Sequence, residues 1–179
     1  MGCYEDWASV TRYGLLSVLQ ESGLELADER LEEVLDRARI PALFDDVPDA
    51  LEALIGAGHE LAVFSNGTAA QLGSILAETG IAGYFSAVIS VDEVGIFKPA
   101  PAVYEHAARR LGRAIGDVWL VSANPFDAAG AKAAGMRVAK LERGRSIRYG
   151  FAPPADLVIA SLAELADLLP PPAEPRATE

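Results

Sequence analysis

Short runs of apolar residues recur along the chain, and helical patterns fill the intervals between them. The runs are Leu61–Phe64, Ala87–Ser90, Val118–Ser122, Arg137–Lys140 and Leu157–Ile159. Strands that are apolar at successive positions, not at alternate ones, are buried on both faces. Helical stretches between such strands supply the covering layers, so the pattern predicts a doubly wound α/β fold with a parallel sheet. Asp46-Val47-Pro48 opens one such helix, which carries Ala50, Leu51, Leu54 and Ile55 and closes at Gly56 and Gly58. Further helices are expected over about 69–78, 102–111, 127–134 and 162–169. In this architecture ligands sit beyond the carboxyl ends of the strands.

The first forty residues have a different texture. Trp7, Val10, Tyr13, Leu15 or Leu16, and Leu19 recur at spacings of three and four, which gives one apolar helix face ending at Gly23. Asp28 reads as the N-cap of a second helix with Leu31, Val34, Leu35 and Ala38 on one stripe. From Pro41 the alternating pattern takes over, and from Pro170 a stretch with Pro171, Pro172 and Pro175 reads as disordered.

Composition removes several function classes. Fifteen Lys and Arg against 26 Asp and Glu give a net charge of −11, which disfavours nucleic acid. Arg143, Arg145 and Arg148 are the nearest approach to a basic patch, and they read as a solvated loop. No apolar run approaches the ~18–20 residues that span a bilayer, so no membrane partner is expected. A single cysteine, Cys3, excludes an internal disulfide, and a reducing, cytoplasmic location is expected. His59 and His106 are isolated in sequence, and neither reads as a metal ligand.

Three strand ends carry polar residues. Ser65-Asn66-Gly67-Thr68 follows the first run, where a Ser hydroxyl, an Asn amide and a helix N-terminus can grip a small anion. The same residues also suit a plain N-cap turn. Lys98 lies in Lys98-Pro99-Ala100-Pro101, whose prolines restrain the backbone around a cation, and Tyr104 follows on the next helix. An exposed Lys before a Pro-started helix is the other reading. Ser122-Ala123-Asn124-Pro125-Phe126-Asp127 ends the third run, with Asp127 at a helix start, where capping is an alternative.

In their order, Ser65-Asn66-Gly67, Lys98-Pro99 and Ser122-x-Asn124-x-x-Asp127 resemble the haloacid dehalogenase superfamily, and within it the type II 2-haloacid dehalogenases. Val47-Pro48-Asp49 and Ser90-Val91-Asp92 also read like that family. The resemblance covers about Tyr4 to Leu169. It implies a Rossmannoid core over 41–169, a partial helical cap over 1–40 and a tail over 170–179. It implies hydrolysis of a small L-2-haloacid or similar carboxylate, without cofactor or metal, in a protein that is often a homodimer. Lys98, Tyr104, Ser122, Asn124 and Asp127 take the catalytic positions by resemblance. Ser65 and Asn66 would hold the substrate carboxylate. Phe126 either lines an apolar pocket or packs in the core. Superfamily phosphatases carry a second acidic residue in the third motif to hold Mg²⁺; here Ser122 and Asn124 stand there, which favours dehalogenation.

The family's nucleophile is an Asp ending a central first strand, in a motif like F-D-x-x-G-T. The 179 residues do not contain it; Phe44-Asp45-Asp46-Val47 is followed by Pro48. The expectation is a chain lacking that strand, inactive by itself, with unpaired backbone on both neighbouring strands. A start placed too far downstream, a decayed gene copy and a noncatalytic binding protein are the competing explanations.

Overall fold

The computed structural model describes residues 4–39, 42–144 and 153–172. It opens with two helices, α1 (Trp7–Glu21) and α2 (Asp28–Arg39), followed by α3 (Val47–Gly56). Strand and helix then alternate: β1 (Ala62–Ser65), α4 (Ala69–Glu78), β2 (Ala87–Ser90), α5 (Pro101–Arg110) and β3 (Trp119–Ser122). After them come α6 (Pro125–Ala134), β4 (Arg137–Leu141), β5 (Leu157–Ile159) and α7 (Leu165–Leu168). A 3₁₀ turn, Leu162–Glu164, takes the first part of the helix expected over 162–169. Among the described residues no strand precedes α1, and no helix is long and apolar enough to cross a membrane.

All strand pairs are parallel, but the strands form two sheets and not one. β1 pairs with β2, aligning Ala62 with Ala87 and Ser65 with Ser90. β3, β4 and β5 form the other sheet in that order. Among the described residues β1 and β3 are therefore both edges, and they face a common cleft of about 720 Å³. The sequence patterning predicts strands covered on both faces, and β4 shows why: Val138 enters one core and Ala139 the other. The first core joins Ile89, Val103, Tyr104, Leu120, Ala131 and Met136 beneath α5 and α6. The second joins Leu54 of α3 and Leu165 of α7 to Ala139 and Ile159. β1 departs from the pattern, with all four residues only partly buried, because among the described residues its outer edge has no neighbouring strand.

The N-terminal helices are unevenly buried: Leu31 of α2 is fully buried, whereas α1 buries none of its residues. Gly23 adopts the left-handed conformation (φ 65°) that ends α1, as its sequence position suggests. Asp28 is the first residue of α2 and not its cap: the amides of Arg30 and Leu31 bond to the Ala27 carbonyl. The apolar face of α1 is uncovered, since the helix buries none of its residues and Trp7, Val10, Tyr13 and Leu16 are exposed. Contact with the core runs through Phe97, which stacks on Tyr4 (5.0 Å) and meets Trp7 edge-on (5.6 Å), and through a Tyr4–Asp92 hydrogen bond. Cys3, Pro41, Arg145, Arg148 and Pro175 lie outside the described residues, as does the side chain of Ala38. Pro170–Pro172 line the cleft, and the rest of that segment is also outside them.

Asp46 stands at the N-cap position of α3, but its side chain makes no cap bond. It instead accepts two bonds from Arg143 (2.7 and 2.9 Å) and one each from the Ser161 hydroxyl (2.5 Å) and the Leu162 amide (2.9 Å). Arg143 also lies over the Phe44 ring at 4.2 Å. The Arg143 hydrogen bonds, then that of Ser161, lower the Asp46 carboxyl from 3.8 to about 2. A carboxyl depressed by folding stabilises the fold fully above its unfolded value and loses that contribution as pH falls through its folded value. Urea unfolding of the native chain between about pH 4 and pH 2 should therefore show an acid-dependent loss of stability that Asp46→Asn reduces, with Asp6, Glu93 and Asp156, also held low, supplying the remainder.

Candidate functional site

The carboxyl ends of β1 and β3 converge on one carboxylate. Asp127 occupies the first turn of α6, and Asn124 caps that helix by accepting from the Phe126 amide (2.9 Å). Capping is thus Asn124's task, which leaves the Asp127 carboxylate available to others. Its Oδ2 accepts from Lys98 Nζ (3.2 Å) and Ser122 Oγ (3.0 Å), and its Oδ1 accepts from the Tyr104 hydroxyl (2.9 Å). Four chain segments meet at this point.

Lys98 is held from several sides. Its Nζ donates to the Phe64 carbonyl (2.9 Å) and lies 3.7 Å from the centre of the Phe64 ring, while its backbone amide donates to Asn66 Oδ1 (3.1 Å). The side chains of Lys98 and Asp127 are only 10% and 13% exposed. Burial pushes the Lys98 ammonium below its ordinary pKa, and Asp127 opposes that fall. Tyr104 is fully buried, with its ring edge-on to Phe64 at 5.8 Å. Burial and then the Asp127 charge raise its hydroxyl well above the usual value, so it acts as a neutral donor.

This network forms one wall of a cavity of about 260 Å³. Ser65, Asn66, Lys98, Asn124 and Asp127 line it with polar groups, and Phe64, Phe126 and Trp7 with apolar ones. Ser65 Oγ also accepts from the Gly67 amide (3.1 Å), and Thr68, not Ser65, caps α4. Phe126 is 53% exposed and lines the cavity. Tyr104 and Ser122 do not line the cavity, and both donate to Asp127. His106 bonds to Glu93 (2.8 Å) away from the cavity. Among the described residues, no group of three or more His, Cys, Asp or Glu side chains gathers as a metal site.

Two contributors were not legible as site residues. Trp7 heads the apolar stripe of α1, and only the docking of that helix on Phe97 brings it to the cavity. Phe64 reads as strand core, yet it supplies both a ring and a carbonyl to Lys98. Its place directly before Ser65-Asn66 was the available signal. Gly130 makes the close packing of α6 feasible, because a Cβ there would lie 2.6 Å from Pro99 Cβ and 2.7 Å from the Tyr104 hydroxyl.

Comparison with known families assigns this polar network at the strand ends of a parallel α/β core, with Trp7 of α1 on one wall, to the haloacid dehalogenase-like hydrolases. The profile of haloacid dehalogenase-like hydrolases matches residues 1–135. (S)-2-haloacid dehalogenase 2 of Pseudomonas sp. (strain CBS-3) is 34% identical over 94% of this chain and 74% of its own length. The L-2-haloacid dehalogenase of Xanthobacter autotrophicus, solved with chloropropionic acid covalently bound, superposes with a TM-score of 0.85 at 30% identity. That match covers 92% of this chain and 76% of that one. A HAD phosphatase from Thermococcus onnurineus also matches, with a TM-score of 0.64 at 29% identity over 86% of this chain and 69% of that one. The chain belongs to the L-2-haloacid dehalogenase family and spans about three-quarters of the length of these dehalogenases.

Two substitutions test the network. Asp127→Asn leaves a buried ammonium without its counter-charge, at a cost on the order of 3 kcal/mol in unfolding free energy. NMR titration of Lys98 Nζ in that variant should show its pKa falling further, since Asp127 is what holds it up. Gly130→Ala should lower the urea midpoint, because overpacking of about 1–3 kcal/mol outweighs a helix-propensity gain of about 1 kcal/mol or less.

Proposed function

We propose that these 179 residues form the supporting part of a hydrolytic L-2-haloacid dehalogenase site. The observation that carries this is the threefold grip of Lys98, Ser122 and Tyr104 on Asp127, which fixes an ammonium beside the Ser65–Asn66 cavity. The chemistry needs a carboxylate nucleophile, and the F-D-x-x-G-T motif that carries it in the family is not within this sequence.

With that carboxylate present, one of its oxygens attacks C2 of the haloacid from the side opposite the halogen. The C–O bond forms as the carbon–halogen bond breaks, and halide leaves with the bonding pair. Water then adds to the carbonyl of the resulting ester, releasing the 2-hydroxy acid and a proton and regenerating the carboxylate. In this reading Lys98 holds the nucleophile ionised and oriented. Asp127 and Asn124 position Lys98 and the water, with Tyr104 and Ser122 fixing Asp127. Ser65 and Asn66 receive the substrate carboxylate, and Phe126 lines the side where halide departs. No metal or cofactor is invoked.

The similarity to a HAD phosphatase supports a second reading, phosphoester hydrolysis, which Ser122 disfavours by standing where a metal-binding acid would be needed. One assay separates the readings: halide release from L-2-chloropropionate by this chain and by an N-terminally extended version carrying F-D-x-x-G-T. The extended protein should release halide in the presence of EDTA, and Lys98→Ala should lower kcat by about 10²–10³. The 179-residue chain should release none. Turnover by that chain, or Mg²⁺-dependent hydrolysis of a phosphate ester in place of halide release, would overturn the proposal.

A further inference from the structure

Phe64 is the last apolar residue of β1. It packs against the core under α5 and α6, and it also lines the small cavity. The Lys98 ammonium lies over its ring, 3.7 Å from the centre, and donates to the carbonyl of the same residue at 2.9 Å. One residue thus meets the cation twice, through a π face and through a backbone oxygen. The ring itself stands edge-on to Tyr104, with centres 5.8 Å apart and planes at 77°. The Tyr104 hydroxyl donates to Asp127 Oδ1, and Asp127 Oδ2 accepts from Lys98. These contacts close a circuit that runs from ammonium to carboxylate, phenol and ring, and back to the ammonium.

We propose that Phe64 is a positioning residue of this site, whose π face keeps the buried Lys98 ammonium charged and fixes its direction toward the cavity. Its part in dehalogenation rests on the function proposed above; its hold on the ammonium does not.

The reason is electrostatic. The Lys98 side chain is 10% exposed, so water supplies little of the solvation that an ammonium needs. An aliphatic side chain at position 64 would exclude water and return nothing, whereas the face of an aromatic ring carries negative potential toward a cation. Such a contact strengthens where water is kept out. Asp127 offers the opposite charge from one side and the ring from another. With Nζ donating to the Phe64 carbonyl and to Asp127, one of its three donors is left for an acceptor in the cavity. Core packing accounts for the edge contact with Tyr104, but not for a ring face turned to a cation.

The test uses the 179-residue chain with mono-, di- or trifluorinated phenylalanine placed at position 64 alone, beside Phe64→Leu. Fluorine withdraws electron density from the ring face and nearly keeps the ring's size. NMR titration of Lys98 Nζ is the readout. Its proton affinity should fall with each added fluorine, reaching a loss of roughly tenfold in the trifluorinated chain and in Phe64→Leu. A ring that only packs gives the opposite pattern: fluorination leaves the titration flat, and the smaller Leu admits water and raises the proton affinity. Either of those results would overturn the proposal. If Phe64→Leu does not fold, the fluorinated series decides alone. In the N-terminally extended protein, the alkaline limb of the kcat profile should move to lower pH in the same order. Halide release whose alkaline limb ignores fluorination would overturn the positioning role. A graded fall in the titration, with no halide release from any version, would sustain the hold of Phe64 on Lys98 and count against the dehalogenase reading.

Discussion

A single half-buried carboxylate organises the functional end of this molecule. Asp127 accepts from a cation, an alcohol and a phenol that arrive on different segments, and each donor is expensive to leave unpaired out of water. The arrangement explains why Lys98 remains at the strand ends although burial disfavours its charge. It also explains the absence of a side chain at Gly130, where α6 must come within contact of Pro99 and the Tyr104 hydroxyl. A buried ion pair of this kind adds little net stability against an apolar substitute, although breaking it by removing one partner is costly.

The second constraint is a core divided, among the described residues, between two parallel sheets. Helices and two cores hold β1–β2 and β3–β4–β5 in place on either side of an apolar cleft, and the Lys98–Asp127 bridge closes one end. Similarity to dehalogenases at a TM-score of 0.85 shows that this divided core keeps the family's arrangement. The apolar face of α1 has the same character, since Trp7, Val10 and Tyr13 show hydrophobic surface that the described residues leave open.

Much of the fold was readable because strand and helix periodicities differ and the punctuation is clear. Thr68 with Gln71 forms a capping box at α4, Pro101 and Pro125 start α5 and α6, and Gly135 ends α6. The candidate site was legible as three polar clusters in order after apolar runs, although each cluster taken singly also suits a turn or cap, as Thr68 and Asn124 do. Asp28 and Asp46 were harder. Both carry the residue type of a helix cap, but Asp28 lies inside its helix, and Arg143 and Ser161 claim the Asp46 side chain from far along the chain.

The order of elements, the parallel sense of the strands and the polar residues at their ends were determined by sequence alone, since each follows from local pattern and burial period. Tertiary structure decided which of those residues touch. That Asp127 collects Lys98, Ser122 and Tyr104, that Trp7 reaches the cavity, and that Phe64 lies beneath the ammonium all depend on packing between segments distant in sequence. Local propensity carries no information about such contacts, because their free energy arises only when separate elements exclude water from the same place.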